Sequence, residues 1–147
     1  MERSGNMGKR LGKALQALGL VLLITVACLA FMPWNMSDVI DGIEDVNRCM
    51  ILRYDTQYST AYPRDEVLEE LKTELSQATG QFDRRRAEIS YKGDAPLYHI
   101  YFWTAEGRIG DVLICGDAIY HNGSQYVFGE TSEKGVNRAL ERCFPNK

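Results

Sequence analysis

Two histidines (His99, His121) and four cysteines (Cys28, Cys49, Cys115, Cys143) are the side chains best equipped for metal binding or nucleophilic attack in this chain. A metal site needs three or four such ligands, and Cys115 and Asp117 are the nearest additions to the histidines in sequence. No HExxH or HxH spacing is present, so no metal ion or other cofactor is indicated. Cysteine and histidine are the parts of a thiol nucleophile, but they are scattered and match no motif. GxGxxG, GxSxG and P-loop patterns are absent. The carboxylates are dispersed, so no acid/base pair stands out. The reading is therefore that the protein is not an enzyme. Its rival is a metal-dependent hydrolase on the exported side of a membrane, using His99, His121 and Cys115.

None of the cysteines forms a CxxC pair, which excludes a zinc ribbon or a thioredoxin-like motif. Cys28 lies in an apolar block apart from the rest. The remaining three allow at most one internal bridge. Cys49–Cys143 is the candidate, tying the first strand to the last helix; the alternative is that all three are buried thiols.

The elements that would carry these residues follow from spacing. Residues 46–54 read as a strand. Residues 55–62 read as a polar loop. Pro63 suits the first position of a helix whose apolar side chains (Val67, Leu68, Leu71, Leu75, Ala78) recur at helical spacing and which Gly80 ends. Residues 82–92 alternate as a half-buried strand, and 92–96 make a turn. Residues 97–104 (LYHIYFWT) form a strongly β-prone strand, with a return over 108–115 after a turn at Glu106-Gly107. Two short strands, 118–121 and 124–129, flank Asn122-Gly123, the best hairpin signal in the chain. Thr131 or Ser132 caps a last helix with Val136, Ala139, Leu140, Cys143 and Phe144 on one face. The order β-α-β-β-β-β-β-α implies an α+β fold: a small antiparallel sheet of about five to six strands with two helices on one face.

A two-residue loop at Glu106-Gly107 puts 105 opposite 108 and 98 opposite 115. Tyr98, Ile100 and Phe102 then share a face with Leu113 and Cys115. Leu97, His99, Tyr101 and Trp103 share the other with Val112 and Ile114. Both faces are apolar and the helices cover one. His99, Tyr101 and Trp103 are then a candidate binding patch for a protein or small ligand, unless a linker or the last helix covers it. The Arg84-Arg85-Arg86 run reads as a solvated strand start.

The chain has 147 residues, 45% hydrophobic and 25% charged, which is ordinary globular composition. Four of its 17 basic and one of its 20 acidic side chains fall in residues 1–13; residues 35–147 hold 13 basic and 19 acidic, a net of −6. An acidic domain behind a basic head argues against a nucleic-acid partner. Residues 14–34 carry no charge and as a helix would rise roughly 31 Å, about a bilayer core. The expectation is a basic cytoplasmic head (1–13), a transmembrane anchor in the lipid bilayer (14–34), an acidic linker (35–45) and an extracytoplasmic α+β domain (46–147), with Trp34 at the membrane interface. Two alternatives remain: a lipoprotein signal, with Ile24-Thr25-Val26-Ala27-Cys28 resembling a lipobox that acylates Cys28, and a cleaved export signal.

From Pro63 to Phe128 the chain resembles small membrane-anchored or lipoprotein domains of unknown function from Gram-positive bacteria. The residues carrying the resemblance are the acidic helix opening (Pro63 to Glu66), Tyr98-His99-Ile100-Tyr101-Phe102 up to Glu106-Gly107, and the stretch from Ala118 to Tyr126. The resemblance implies no activity and no site residues. Together these features read as a single-pass membrane protein in the cell membrane, whose outer domain is a non-catalytic binding, sensing or accessory module.

Overall fold

The computed structural model describes residues 4–30, 33–83 and 95–145. The chain divides into two compact units, Met1–Met32 and Pro33–Lys147. Helix α1 (Ser4–Ala30) makes up the first. Leu15, Leu18, Leu22, Leu23 and Val26 are all exposed along it. Thr25 Oγ1 donates to the Val21 carbonyl at 2.8 Å, which satisfies its hydroxyl within the helix.

The expected transmembrane helix is corrected here: among the described residues no helix is long and apolar enough to cross a membrane. The helix ends at Ala30 rather than Trp34. Its uncharged part, residues 14–30, rises roughly 25 Å, against about 30 Å of bilayer hydrocarbon. Pro33 and Trp34 belong to a strand of the second unit, and Trp34 is buried in its core instead of lying at an interface.

The second unit runs β1 (Pro33–Asn35), α2 (Met36–Val39), a 3₁₀ turn (Ile43–Asp45), β2 (Arg48–Tyr54), β3 (Tyr58–Ala61), α3 (Asp65–Ser76), β4 (Thr79–Asp83), β5 (Leu97–Thr104), β6 (Gly107–Cys115), β7 (Ala118–His121), β8 (Ser124–Phe128) and α4 (Glu130–Arg142). Its described residues form an α+β unit with one eight-stranded sheet in the order β1-β4-β8-β7-β6-β5-β2-β3, antiparallel throughout. Strands β5 to β8 are a meander of hairpins. At β7–β8 the turn falls on Asn122 (φ 48°) and Gly123 (φ 77°), the left-handed pair that matches strand twist.

The sheet has more strands than the sequence pattern implied, because two of them, β1 and β3, are too short to show a period. Residues 58–61, read as loop, form β3. Gly80, read as a helix stop, lies inside β4, where a Cβ would stand 1.8 Å from the Val127 carbonyl oxygen and 2.9 Å from the Trp34 ring. Only glycine lets those strands and that indole close up. The expected strand over 82–92 begins earlier, at Thr79; residues 84–94, including the arginine run, lie outside the described residues.

One face of the sheet packs under the helices. Cys49, Ile51, Tyr98, Ile100, Phe102, Val112, Ile114 and Ile119 meet Leu68, Leu71 and Leu75 of α3 and Val136, Ala139 and Leu140 of α4 in one buried cluster. Arg138 bonds Glu74 at 3.1 Å and Arg142 bonds Glu70, tying the two helices at the surface. Such exposed pairs contribute little beside the apolar burial.

The stretch read as an acidic linker is part of this core. Asn35 and Asp38 form a capping box, the Asn35 N–H donating to Asp38 Oδ2 at 3.1 Å, and this starts α2. Met36, Ile40 and Ile43 then point inward and are fully buried. The acids Asp38, Asp41, Glu44 and Asp45 stay outside that apolar stripe, and their number made the segment look like solvent.

A fragment starting at residue 33 is expected to fold, and one starting at residue 46 to remain unfolded. The shorter fragment lacks Trp34, Met36, Ile40 and Ile43. At about 1.5–3 kcal/mol each these are worth roughly 6–12 kcal/mol, comparable to the whole stability of a domain. Urea unfolding followed by circular dichroism checks this: a cooperative transition in the shorter fragment would refute it.

Candidate functional site

The β5–β6 hairpin brings chemistry together on the sheet face opposite the helices. It turns at Ala105-Glu106, with Thr104 opposite Gly107, and a bulge lies between Phe102 and Trp103. Beyond the bulge Ile100 pairs with Val112 and Tyr101 with Asp111. This is one residue away from the register that a Glu106-Gly107 loop implies, and one residue exchanges the faces of an entire strand. Val112 and Ile114 therefore enter the core. Arg108, Asp111, Leu113 and Cys115 join Leu97, His99, Tyr101 and Trp103.

His99 sits at the centre. Its Nε2–H donates to Asp111 Oδ2 at 2.8 Å, and its Nδ1 accepts from the Tyr101 hydroxyl at 3.1 Å. Arg108 donates from a terminal guanidinium nitrogen to Asp111 Oδ1 at 2.5 Å and stacks over the Tyr101 ring, 4.8 Å from its centroid. The His99 and Tyr101 rings are 4.2 Å apart, and Tyr101 and Trp103 6.3 Å. Arg48 of β2 lies 4.9 Å over Trp103. The result is an aromatic strip with a guanidinium over two of its rings and a carboxylate beside the third. The His99 side chain is 20% exposed and that of Asp111 38%, so the polar chain is open to solvent.

Burial alone would raise the Asp111 carboxyl. Hydrogen bonds from His99 and Arg108, with their charges, outweigh it and hold the group below its ordinary 3.8. Chemically, the chain Tyr101–His99–Asp111 fixes the imidazole proton on Nε2 and aims Nδ1 at a phenol, an arrangement able to pass a proton. The ring nitrogens of His99, the Tyr101 hydroxyl and both Asp111 carboxylate oxygens each have an internal partner, which holds the three side chains in place.

The three residues expected as a binding patch, His99, Tyr101 and Trp103, thus lie together on β5. Neither the 35–45 segment nor α4 covers them, since both pack into the cluster on the other face. Asp111, Arg108 and Arg48 escaped the sequence reading because the hairpin register was set one residue out. The turn at Ala105-Glu106 and the bulge between Phe102 and Trp103 together put Asp111 opposite Tyr101.

The rival hydrolase trio is not assembled. His121 Nδ1–H donates to the Asp111 backbone carbonyl at 2.7 Å, while Nε2 accepts from Asn122 Nδ2 at 2.9 Å. It therefore meets the backbone of Asp111, whereas His99 meets the side chain. Cys115 is buried in β6. Among the described residues no three His, Cys, Asp or Glu side chains are gathered closely enough to hold a metal ion.

Cys49 and Cys143 are buried, free thiols, so the proposed bridge is absent. Burial, followed by the Cys143 thiol, pushes Cys49 up to about 12; burial and Glu70 outweigh Arg142 and push Cys143 up to about 12. Cys143 Sγ donates to the Ala139 carbonyl at 3.3 Å. Cys28, the alternative lipidation residue, is exposed on α1.

No known family's model matches the chain, and no curated protein or solved structure does so either.

Two outcomes are expected. Because the Asp111 pKa is depressed, its stabilisation is present above its ordinary value and lost as pH falls through the lower folded one. The difference in urea midpoint between wild type and Asp111→Asn should hold steady from neutral pH to about 4 and close below the ordinary 3.8. A gap that persists in acid would refute this. Separately, Cys49 and Cys143 should react with an aromatic disulfide reagent only on unfolding, and the intact mass without reductant should equal that of the fully reduced chain.

Proposed function

We propose that residues 33–147 are a non-catalytic binding module, held at the outer surface of a cell membrane by the apolar surface of α1, and that its ligand lies across the His99–Tyr101–Trp103 strip. One observation carries the reading: an aromatic strip fixed by an internal hydrogen-bonded chain on a sheet face that the unit's own helices leave free. Aromatic rings held this way offer large contact area at little entropic cost, and arginines beside them add directional donors. The ligand class that fits presents an aromatic or otherwise flat apolar group next to a hydrogen-bonding one. It can be a protein loop or a small molecule. For α1, the supporting observation is the number of aliphatic side chains exposed around the helix.

A thermal-shift screen of peptides and small aromatic and polar compounds tests the module. Compounds that stabilise the wild type should lose about tenfold or more in affinity with Trp103→Ala or Tyr101→Ala, as for buried aromatic anchors. Ligands that bind both variants as well as wild type would move the site elsewhere. For the membrane part, the full chain should float with phosphatidylcholine–phosphatidylglycerol vesicles while a 33–147 fragment stays behind. Co-flotation of the fragment would remove the role given to α1.

A further inference from the structure

The free edge of the sheet carries a second surface. Strand β3 ends the strand order, so its outer row of N–H and C=O groups has no strand partner among the described residues. Along it runs an open cleft of about 800 Å³, lined by residues 57–64 on one side and by the end of α4 and residues 143–145 on the other. Three arginines from three elements converge there: Arg53 from β2, Arg64 from the residue before α3, and Arg142 from the last turn of α4. Among the described residues no carboxylate lines the cleft, although the domain around it is acidic.

The arginines are positioned differently. Arg53 lies over the adjoining Tyr98 and Phe144 rings, 6.0 and 5.7 Å from their centroids. Its Nε lies 2.7 Å from Asp55 Oδ2 yet is outside hydrogen-bonding geometry, and among the described residues it has no other partner. Arg142 leans back onto Glu70. Arg64 is exposed and makes no ion pair with any described residue, so its guanidinium is available. Tyr58 and Tyr62 flank the edge, 63% and 61% exposed, unusually high for aromatic side chains.

We propose that this cleft binds an acidic peptide segment in extended form, added as a further strand to β3, with its carboxylates on Arg64 and on the arginines behind it. Main-chain hydrogen bonds to the edge supply register-independent affinity, and alternate side chains meet the arginine wall and the tyrosines. The charge pattern selects the partner: a strand bearing glutamates matches the wall, and one bearing lysines is repelled.

The test uses the full chain, kept dispersed by a non-ionic detergent, and fluorescein-labelled Val-Glu-Val-Glu-Val-Glu read by fluorescence anisotropy. The glutamate peptide should bind and its Val-Lys counterpart should not. Arg64→Glu should weaken binding at least about tenfold, the size of one lost charge-assisted contact plus repulsion. Arg64 holds the start of α3 through its backbone carbonyl, which the substitution keeps, and a circular dichroism melt of the variant verifies that the fold is retained. A peptide N-methylated at alternate residues keeps its charge and loses strand addition; it too should bind at least about tenfold more weakly. Equal binding by the N-methylated peptide, no effect of Arg64→Glu, binding by the lysine peptide, or no binding at all would each overturn the proposal. So would binding that vanishes with Trp103→Ala while surviving Arg64→Glu, since that would assign the peptide to the opposite face.

Discussion

The register of the β5–β6 ladder is the constraint on which the rest depends. With Ile100 opposite Val112 and Tyr98 opposite Ile114, the hairpin gives the helices an unbroken aliphatic and aromatic surface. The same register sends Asp111 and Arg108 to the other side. Apolar burial decides the matter: in the alternative register Val112 and Ile114 would leave the core, and Asp111 would have to enter it without a partner. The bulge at Phe102/Trp103 reconciles this pairing with the tight turn, at the cost of one unpaired residue. The polar chain through His99 is thus a by-product of how the core is filled.

A second dependence runs through the far edge. Trp34 packs edge-on against Tyr126, 5.4 Å between centroids, and lies 5.9 Å from Phe128. It reaches them over Gly80, whose missing side chain leaves room for the ring. Met36, Ile40 and Ile43 continue the same apolar layer toward α3. The core therefore begins immediately after α1 ends. The indole N–H is buried and has no partner among the described residues, a cost the surrounding aromatic packing offsets.

Long, strongly patterned elements were legible from residue order. The β5 run from Leu97 to Thr104, the Ala118–His121 strand, the Asn122-Gly123 turn and the buried face of α4 all follow from period and turn chemistry. So did the company of His99, Tyr101 and Trp103, since residues two apart on a strand must share a face. The failures have physical causes. Strands β1 and β3 span three and four residues, too few to display alternation. The 35–45 segment hides three buried apolar residues among acids. Pro33-Trp34 looks like the end of a lipid-facing run, and only its pairing with Gln81 and Gly80, remote in sequence, reveals a strand. Asp111 was missed because a hairpin offset of one residue is invisible to local propensity.

The short passage from α1 to β1 has a mechanical side. Ala30 is the last residue of α1 and Pro33 the first of β1, so β1 is the first element of the sheet met along the chain. Tension applied through the helix would be delivered first to the three-residue β1 ladder and to the indole wedged behind it. Those few bonds act as a fuse: they would give way before the meander does, exposing the aromatic lining of Tyr126 and Phe128 while the hairpins holding His99 stayed intact.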